Sequence, residues 1–194
     1  IAEGSKGLRS IQRKGSNSFE ALNEPIILDG PYSNSAFDIV CKNDKVYMII
    51  GGKDLLNGKR FDKGGYILTY DYDKWSFIDP KEAQKKLNLP RNPRDYTSIA
   101  VTTDDSNDEI VYASSMGDGV IQYKNGTPVQ SYNEKNAFKE TAGGYGSGYC
   151  YIDGLAFDKN GNLWMTSSEV NHAVLVLDKA GCLLYTSDAA DDSL

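Results

Sequence analysis

The chain contains one histidine, His172, so acid–base chemistry would have to rest on that residue or on carboxylates. His172 stands beside Asn171 just ahead of the apolar run "AVLVL", where a turn residue is expected. No serine or cysteine lies in a nucleophile motif, and a triad needs a base aimed at one. Carboxylates do come in pairs: Asp71 with Asp73, Asp104 with Asp105, and Asp108 with Glu109. A glycosidase uses two such groups across a scissile bond. Here they sit in polar stretches between apolar runs, where Asp is a turn former. No catalytic residue is assigned.

The stretch "AFDKNGNLWMTSS" (156–168) raises a metal question. Asp158, Asn160 and Asn162 match the first three alternate positions of a calcium loop, which then requires glycine at the sixth. Leu163 stands there instead, and the twelfth residue, Glu169, falls beyond a run that reads as strand. The corresponding stretches "KNDK" and "DDSNDE" share no ligand set with it. These residues are read as a turn, and no metal or cofactor site is expected.

The loop "AGGYGSGYCYID" (142–153) combines glycines with Tyr145, Tyr149 and Tyr151. It could present aromatic faces to sugar rings, or Tyr149 and Tyr151 could enter the core of the next strand. The ligand-binding residues are left unassigned.

Composition narrows the classes. The 194 residues carry a net charge of −6, which argues against nucleic acid as a partner. No apolar run reaches the length of a membrane-spanning helix. The tail Cys182–Asp192, "CLLYTSDAADD", reads as the translation of a sequencing-library adapter, and residues 182–194 are set aside as a non-native tail. Without them, 24 acidic residues face 21 basic ones. Cys41 and Cys150 then remain, at no metal-like spacing, and whether they pair is left open.

The elements around these residues repeat. "DIVCKNDKVYMIIGG" (38–52), "SIAVTTDDSNDEIVYASS" (98–115) and "GLAFDKNGNLWMTSS" (154–168) each run apolar strand, polar turn, then Val-Tyr, Val-Tyr or Leu-Trp. A second hairpin follows each, starting at Gly65, Gly119 and Ala173, a spacing of 54 residues. "GLRSIQRKGSN", from Gly7, is a weaker fourth copy. Asn125-Gly126 is the strongest hairpin turn, since both positions accept positive φ. In "DPKEAQKKLN", Asp79 as N-cap and Pro80 at the first position predict one short helix. Four strands per repeat describe the blades of a β-propeller; a β-sandwich has no reason to repeat at a fixed interval. The fold class is therefore all-β: residues 1–181 form a partial β-propeller of three to four four-stranded antiparallel blades, an internal fragment of a larger protein.

"GPYSNSAFDIVCKNDKVYMIIGG", "GGYILTYDYDKW", "DYTSIAVTTDDSNDEIVYASSMGDGVIQYKNG", "SYNEKNAFKE" and "YIDGLAFDKNGNLWMTS" follow one another in order. This series resembles the N-terminal propeller of the PorZ-like family of type IX secretion components, built from two-component-regulator-type propeller repeats. The resemblance spans about residues 1–181. It implies a non-enzymatic binding or scaffolding module of a bacterial surface complex that attaches exported cargo to lipopolysaccharide. Protein partners, and lipopolysaccharide or oligosaccharide, are the ligands implied, at the cell surface or in the periplasm of a Gram-negative bacterium. The runner-up is the periplasmic sensor region of a hybrid two-component regulator that recognises oligosaccharide. A propeller-fold polysaccharide-degrading enzyme comes third.

Overall fold

The computed structural model describes residues 9–24, 30–138 and 148–185. It divides into two compact units, residues 1–31 and 32–194. In the first unit, β1 (Ile11–Arg13) pairs antiparallel with β2 (Phe19–Ala21). This is the hairpin foreseen for the weak fourth copy.

Among the described residues, the second unit forms three antiparallel meanders. The first blade contains β3 (Ala36–Lys42), β4 (Lys45–Ile50), β5 (Ile67–Tyr70) and β6 (Trp75–Ile78). Helix α1 (Pro80–Leu87) leads to the second: β7 (Tyr96–Thr103), β8 (Glu109–Gly117), β9 (Gly119–Lys124) and β10 (Thr127–Tyr132). The third consists of β11 (Cys150–Phe157), β12 (Leu163–Ser167), β13 (Val174–Leu177) and β14 (Leu183–Tyr185). The architecture is a partial β-propeller, as the repeat implied.

Local chemistry sets the corners. The Asp79 carboxylate accepts from Lys81 N, and Asn88 closes α1 in the left-handed conformation. Asn125 and Gly126, at φ 48° and 74°, make the two-residue turn between β9 and β10. Residues 158–162 turn β11 into β12, with Asp158 Oδ1 accepting from Asn160 N and Asn162 N. The calcium-like stretch is a corner.

Period-two alternation gives each blade two apolar faces, and the core lies between blades. Tyr47, Ile49 and Ile67 of the first blade pack with Ile99, Val101, Val111, Ala113, Ile121 and Tyr123 of the second. The opposite face of the second, with Ala100, Val120 and Tyr112, packs with Ile152, Leu163, Met165 and Leu175 of the third. Truncating one such fully buried side chain, for example Ile121→Ala, costs about 2–5 kcal/mol.

The first strands β3, β7 and β11 neighbour one another along the inner edge. Polar groups stitch them together. Ser98 Oγ donates to Asp38 Oδ2 at 3.2 Å and accepts from Leu155 N at 3.3 Å. Thr97 Oγ1 donates to the Ile152 carbonyl at 2.7 Å. Two equivalent glycines let successive blades come this close. A Cβ on Gly51 would strike the backbone of Asp95 and Tyr96, and one on Gly117 would strike the Tyr149 ring. Beyond Gly117 the third blade hydrogen-bonds directly to the second, Cys150 opposite Gly117 and Tyr151 opposite Met116.

Leu183–Tyr185, which lie in the segment set aside as tail, pair with β13 as the outer strand of the third blade. Cys41 is exposed and Cys150 buried, and neither is in a disulfide.

Candidate functional site

The loops after β4 and the connections between blades meet at one end of the second unit. There Asp95, with no exposed surface and φ 48°, accepts from Arg60 Nε at 3.1 Å, Asp62 N at 3.1 Å and Lys63 N at 2.9 Å. Burial works against the Arg60 charge, but the hydrogen bond to Asp95 together with the charges of Asp95 and Asp118 outweighs it, and Arg60 holds its proton more tightly than usual. Arg60 also donates to the Tyr149 hydroxyl at 3.2 Å. Arg91 donates from Nε to Asp118 at 2.6 Å and lies 4.8 Å from the Tyr149 ring centre. Across the inner edge, Lys53 of the first blade reaches Asp153 of the third at 2.7 Å, and Ser168 donates to the same carboxylate at 3.0 Å.

This constellation ties blades together. Each carboxylate faces a cation or several N–H groups, so its lone pairs are taken up in contacts between blades.

The loop 142–153 lies here in part. Residues 142–147 fall outside the described residues. Tyr151 enters β11 and is buried, while Tyr149 packs its ring on Gly117 with Arg60 and Arg91 over it. Tyr151 is thereby closed to a sugar ring, while Tyr149 stays half-buried. A small recess of about 210 Å³ adjoins them, lined by Arg91, Asp118, Glu134, Lys135 and Gly148.

The opposite end carries the hairpin turns and two clefts. One, of about 450 Å³, lies where the first and second blades diverge, by Lys45, Thr69 and Glu109. The larger, about 700 Å³, opens between the second and third blades. Tyr112, Tyr132 and Phe157 line it, with Lys42, Lys124, Lys159 and Lys179 around them. Tyr112 lies 6.5 Å from Tyr132 and 5.9 Å from Phe157 between ring centres.

The paired carboxylates sit at this end, in the roles turns give them. Asp71 Oδ1 accepts from Asp73 N and Lys74 N. Asp104 and Asp108 share Lys124 Nζ at 2.7 and 2.8 Å, and that contact is the leading reason both carboxyls titrate below the usual range. Glu109 takes Tyr47 and Lys45 of the preceding blade. Asp158 accepts from Trp164 Nε1 at 3.0 Å, the leading cause of its strongly lowered pKa. His172 lies half-buried in the connection between β12 and β13. Among the described residues no group of three or more His, Cys, Asp or Glu side chains could hold a metal ion.

Sequence reasoning missed the Arg60–Asp95–Tyr149 cluster and the cleft between the second and third blades. Asp95 alone left a signal, as an aspartate just ahead of a strand, where positive φ is tolerated.

The fold and these surfaces define a β-propeller arc, a class in which exposed loops and inter-blade clefts carry recognition. The chain is similar to PorZ, a surface component of the type IX secretion system of Porphyromonas gingivalis, with a TM-score of 0.65 and 23% identity. The similarity covers 94% of this chain and 23% of that one, so the chain spans about a quarter of the length of that protein. No family model matches the chain, and no curated protein matches it.

Proposed function

We propose that this chain is a non-enzymatic binding and scaffolding module of a bacterial surface secretion and attachment assembly of the type IX kind. The observation that carries the reading is the fold likeness to PorZ along nearly the whole chain, joined to the order of motifs along the sequence. The chemistry supports it: Asp38, Asp71, Asp95, Asp104, Asp108, Glu109, Asp118, Asp153 and Asp158 are engaged in turns and inter-blade contacts, as a rigid recognition surface requires. Protein partners are the first ligands on this reading, and lipopolysaccharide or an oligosaccharide the second. The module is exported and works at the outer surface; no helix among the described residues is long and apolar enough to cross a membrane.

The test is to tag the gene product carrying this sequence in a bacterium that uses type IX secretion. Surface protease accessibility and recovery with outer-membrane secretion proteins are expected. Recovery in the inner membrane with a histidine-kinase domain would replace this reading with that of a periplasmic sensor.

A further inference from the structure

The connection between the second and third strands differs from blade to blade. It is Asp118 alone in the second blade and residues 168–173 in the third, but residues 51–66 in the first. One residue is enough to turn this corner, so the blade itself does not demand the long loop. Connections that exceed what the architecture needs are where recognition is carried.

The loop is braced from within. The Asp54 carbonyl accepts from Gly58 N at 2.7 Å, and Asp54 N donates to the Lys59 carbonyl at 2.8 Å. The Asp54 carboxylate accepts from Leu56 N at 2.8 Å and from Asn57 Nδ2 at 2.9 Å, while Asn57 Oδ1 accepts from Lys59 N. Lys53 and Arg60 pair across its base. Both are pinned to other blades, Lys53 by Asp153 and Arg60 by Asp95. At the tip of this turn stand Leu55 and Leu56, 80% and 98% exposed, the two most exposed large apolar side chains among the described residues. Their backbone is already ordered, so burying them in a partner costs little further chain entropy.

The charges around the tip select the partner. Lys53, Lys59, Arg60 and Lys63 face only Asp54 and Asp62 within the loop, which is thus net positive in a chain of net charge −6. Lys59 and Lys63 are exposed. Asp54 spends its carboxylate on the turn, and Asp62 has Arg60 and Arg94 each at 3.8 Å. An apolar tip flanked by cations matches an anionic bilayer: leucines enter the acyl boundary while ammonium groups stay among the phosphates. An apolar pocket on a protein would take the leucines and leave the cations without a role.

We propose that the loop of residues 53–63 is an interfacial anchor for a bilayer rich in anionic lipid. Leu55 and Leu56 insert, and Lys59 and Lys63 contact the phosphate groups. The assignment rests on the loop alone and goes beyond the functional reading above.

The test mixes the 194-residue chain with vesicles of equal parts phosphatidylglycerol and phosphatidylcholine, and with vesicles of phosphatidylcholine alone. Sedimentation with the anionic vesicles is expected, weaker with the neutral ones and weaker as salt rises. Leu55→Ser combined with Leu56→Ser should reduce binding roughly tenfold or more and leave the melting temperature unchanged. Lys59→Ala and Lys63→Ala should each weaken binding about fivefold. Leu56→Trp should add to the parent's emission a component that shifts to the blue on anionic vesicles and is quenched by brominated acyl chains. Equal binding by the parent and the double-serine chain overturns the proposal, as does a Leu56→Trp spectrum that vesicles leave unmoved. A lower melting temperature of the double-serine chain also overturns it, since the leucines would then pack within the fold. So does absence of vesicle binding, including where the leucines prove necessary to capture a protein instead.

Discussion

The Asp95 carboxylate, fully buried at the start of β7, receives Nε of Arg60 at 3.1 Å from a loop of the preceding blade. Two backbone N–H groups of that loop complete its shell. Removing one partner of a buried pair strands the other. Asp95→Ala is therefore expected to lower stability by about 3–5 kcal/mol. Asp95→Asn should cost less, because asparagine keeps an acceptor and tolerates positive φ. Guanidinium unfolding of the three proteins checks this, and equal stability of Asp95→Ala and the parent would refute it.

The inner edge gives a smaller effect. Ser98 links Asp38 of the blade before it to Leu155 N of the blade after it. Ser98→Ala leaves Asp38 with Ile99 N but strips the acceptor from Leu155 N. A loss of about 1–2 kcal/mol is expected. Amide exchange at Leu155 should quicken more than exchange at the hairpin turns.

Alkaline pH should unfold the chain early. The Tyr96 and Tyr123 hydroxyls share a hydrogen bond of 2.6 Å, and burial raises the pKa of both above the ordinary value of 10.0. Burial does the same to Tyr47 and Tyr112. The folded chain keeps these hydroxyls neutral where the unfolded chain ionises them. Their contribution is whole below about pH 10 and is lost as pH rises above it, by about 1.4 kcal/mol per pH unit for each. Denaturation midpoints between about pH 8 and about pH 11.5 should fall accordingly. Phenolate absorbance should rise in two stages, exposed tyrosines first; a single stage near the ordinary value would contradict the burial argument.

A polysaccharide panel should show no turnover. With Asp104 and Asp108 on Lys124, and Glu109 held by Tyr47 and Lys45, these carboxylates have partners other than a substrate. Turnover by the intact gene product that disappears on changing one carboxylate would overturn the scaffold reading.

What the sequence determined by itself is the repeat and its corners. Asn125-Gly126, Asp79-Pro80 and the alternation in "SIAVTT" act over a few residues, so turn, cap and strand could be read where they stand. The 54-residue spacing then followed from counting, and the antiparallel blades from the spacing. The tertiary structure decided the rest. Asp38, Ser98 and Leu155, or Arg60, Asp95 and Tyr149, lie tens of residues apart, and only stacking of blades brings them together. Stacking also set Arg60 and Arg91 over the ring of Tyr149, whose place the sequence had left open. Leu183–Tyr185, within the segment read from sequence as a tail, pair with β13, which offered an unpaired edge to hydrogen-bond. Pairing of that kind depends on which backbone groups lie alongside, and local residue patterns do not encode it.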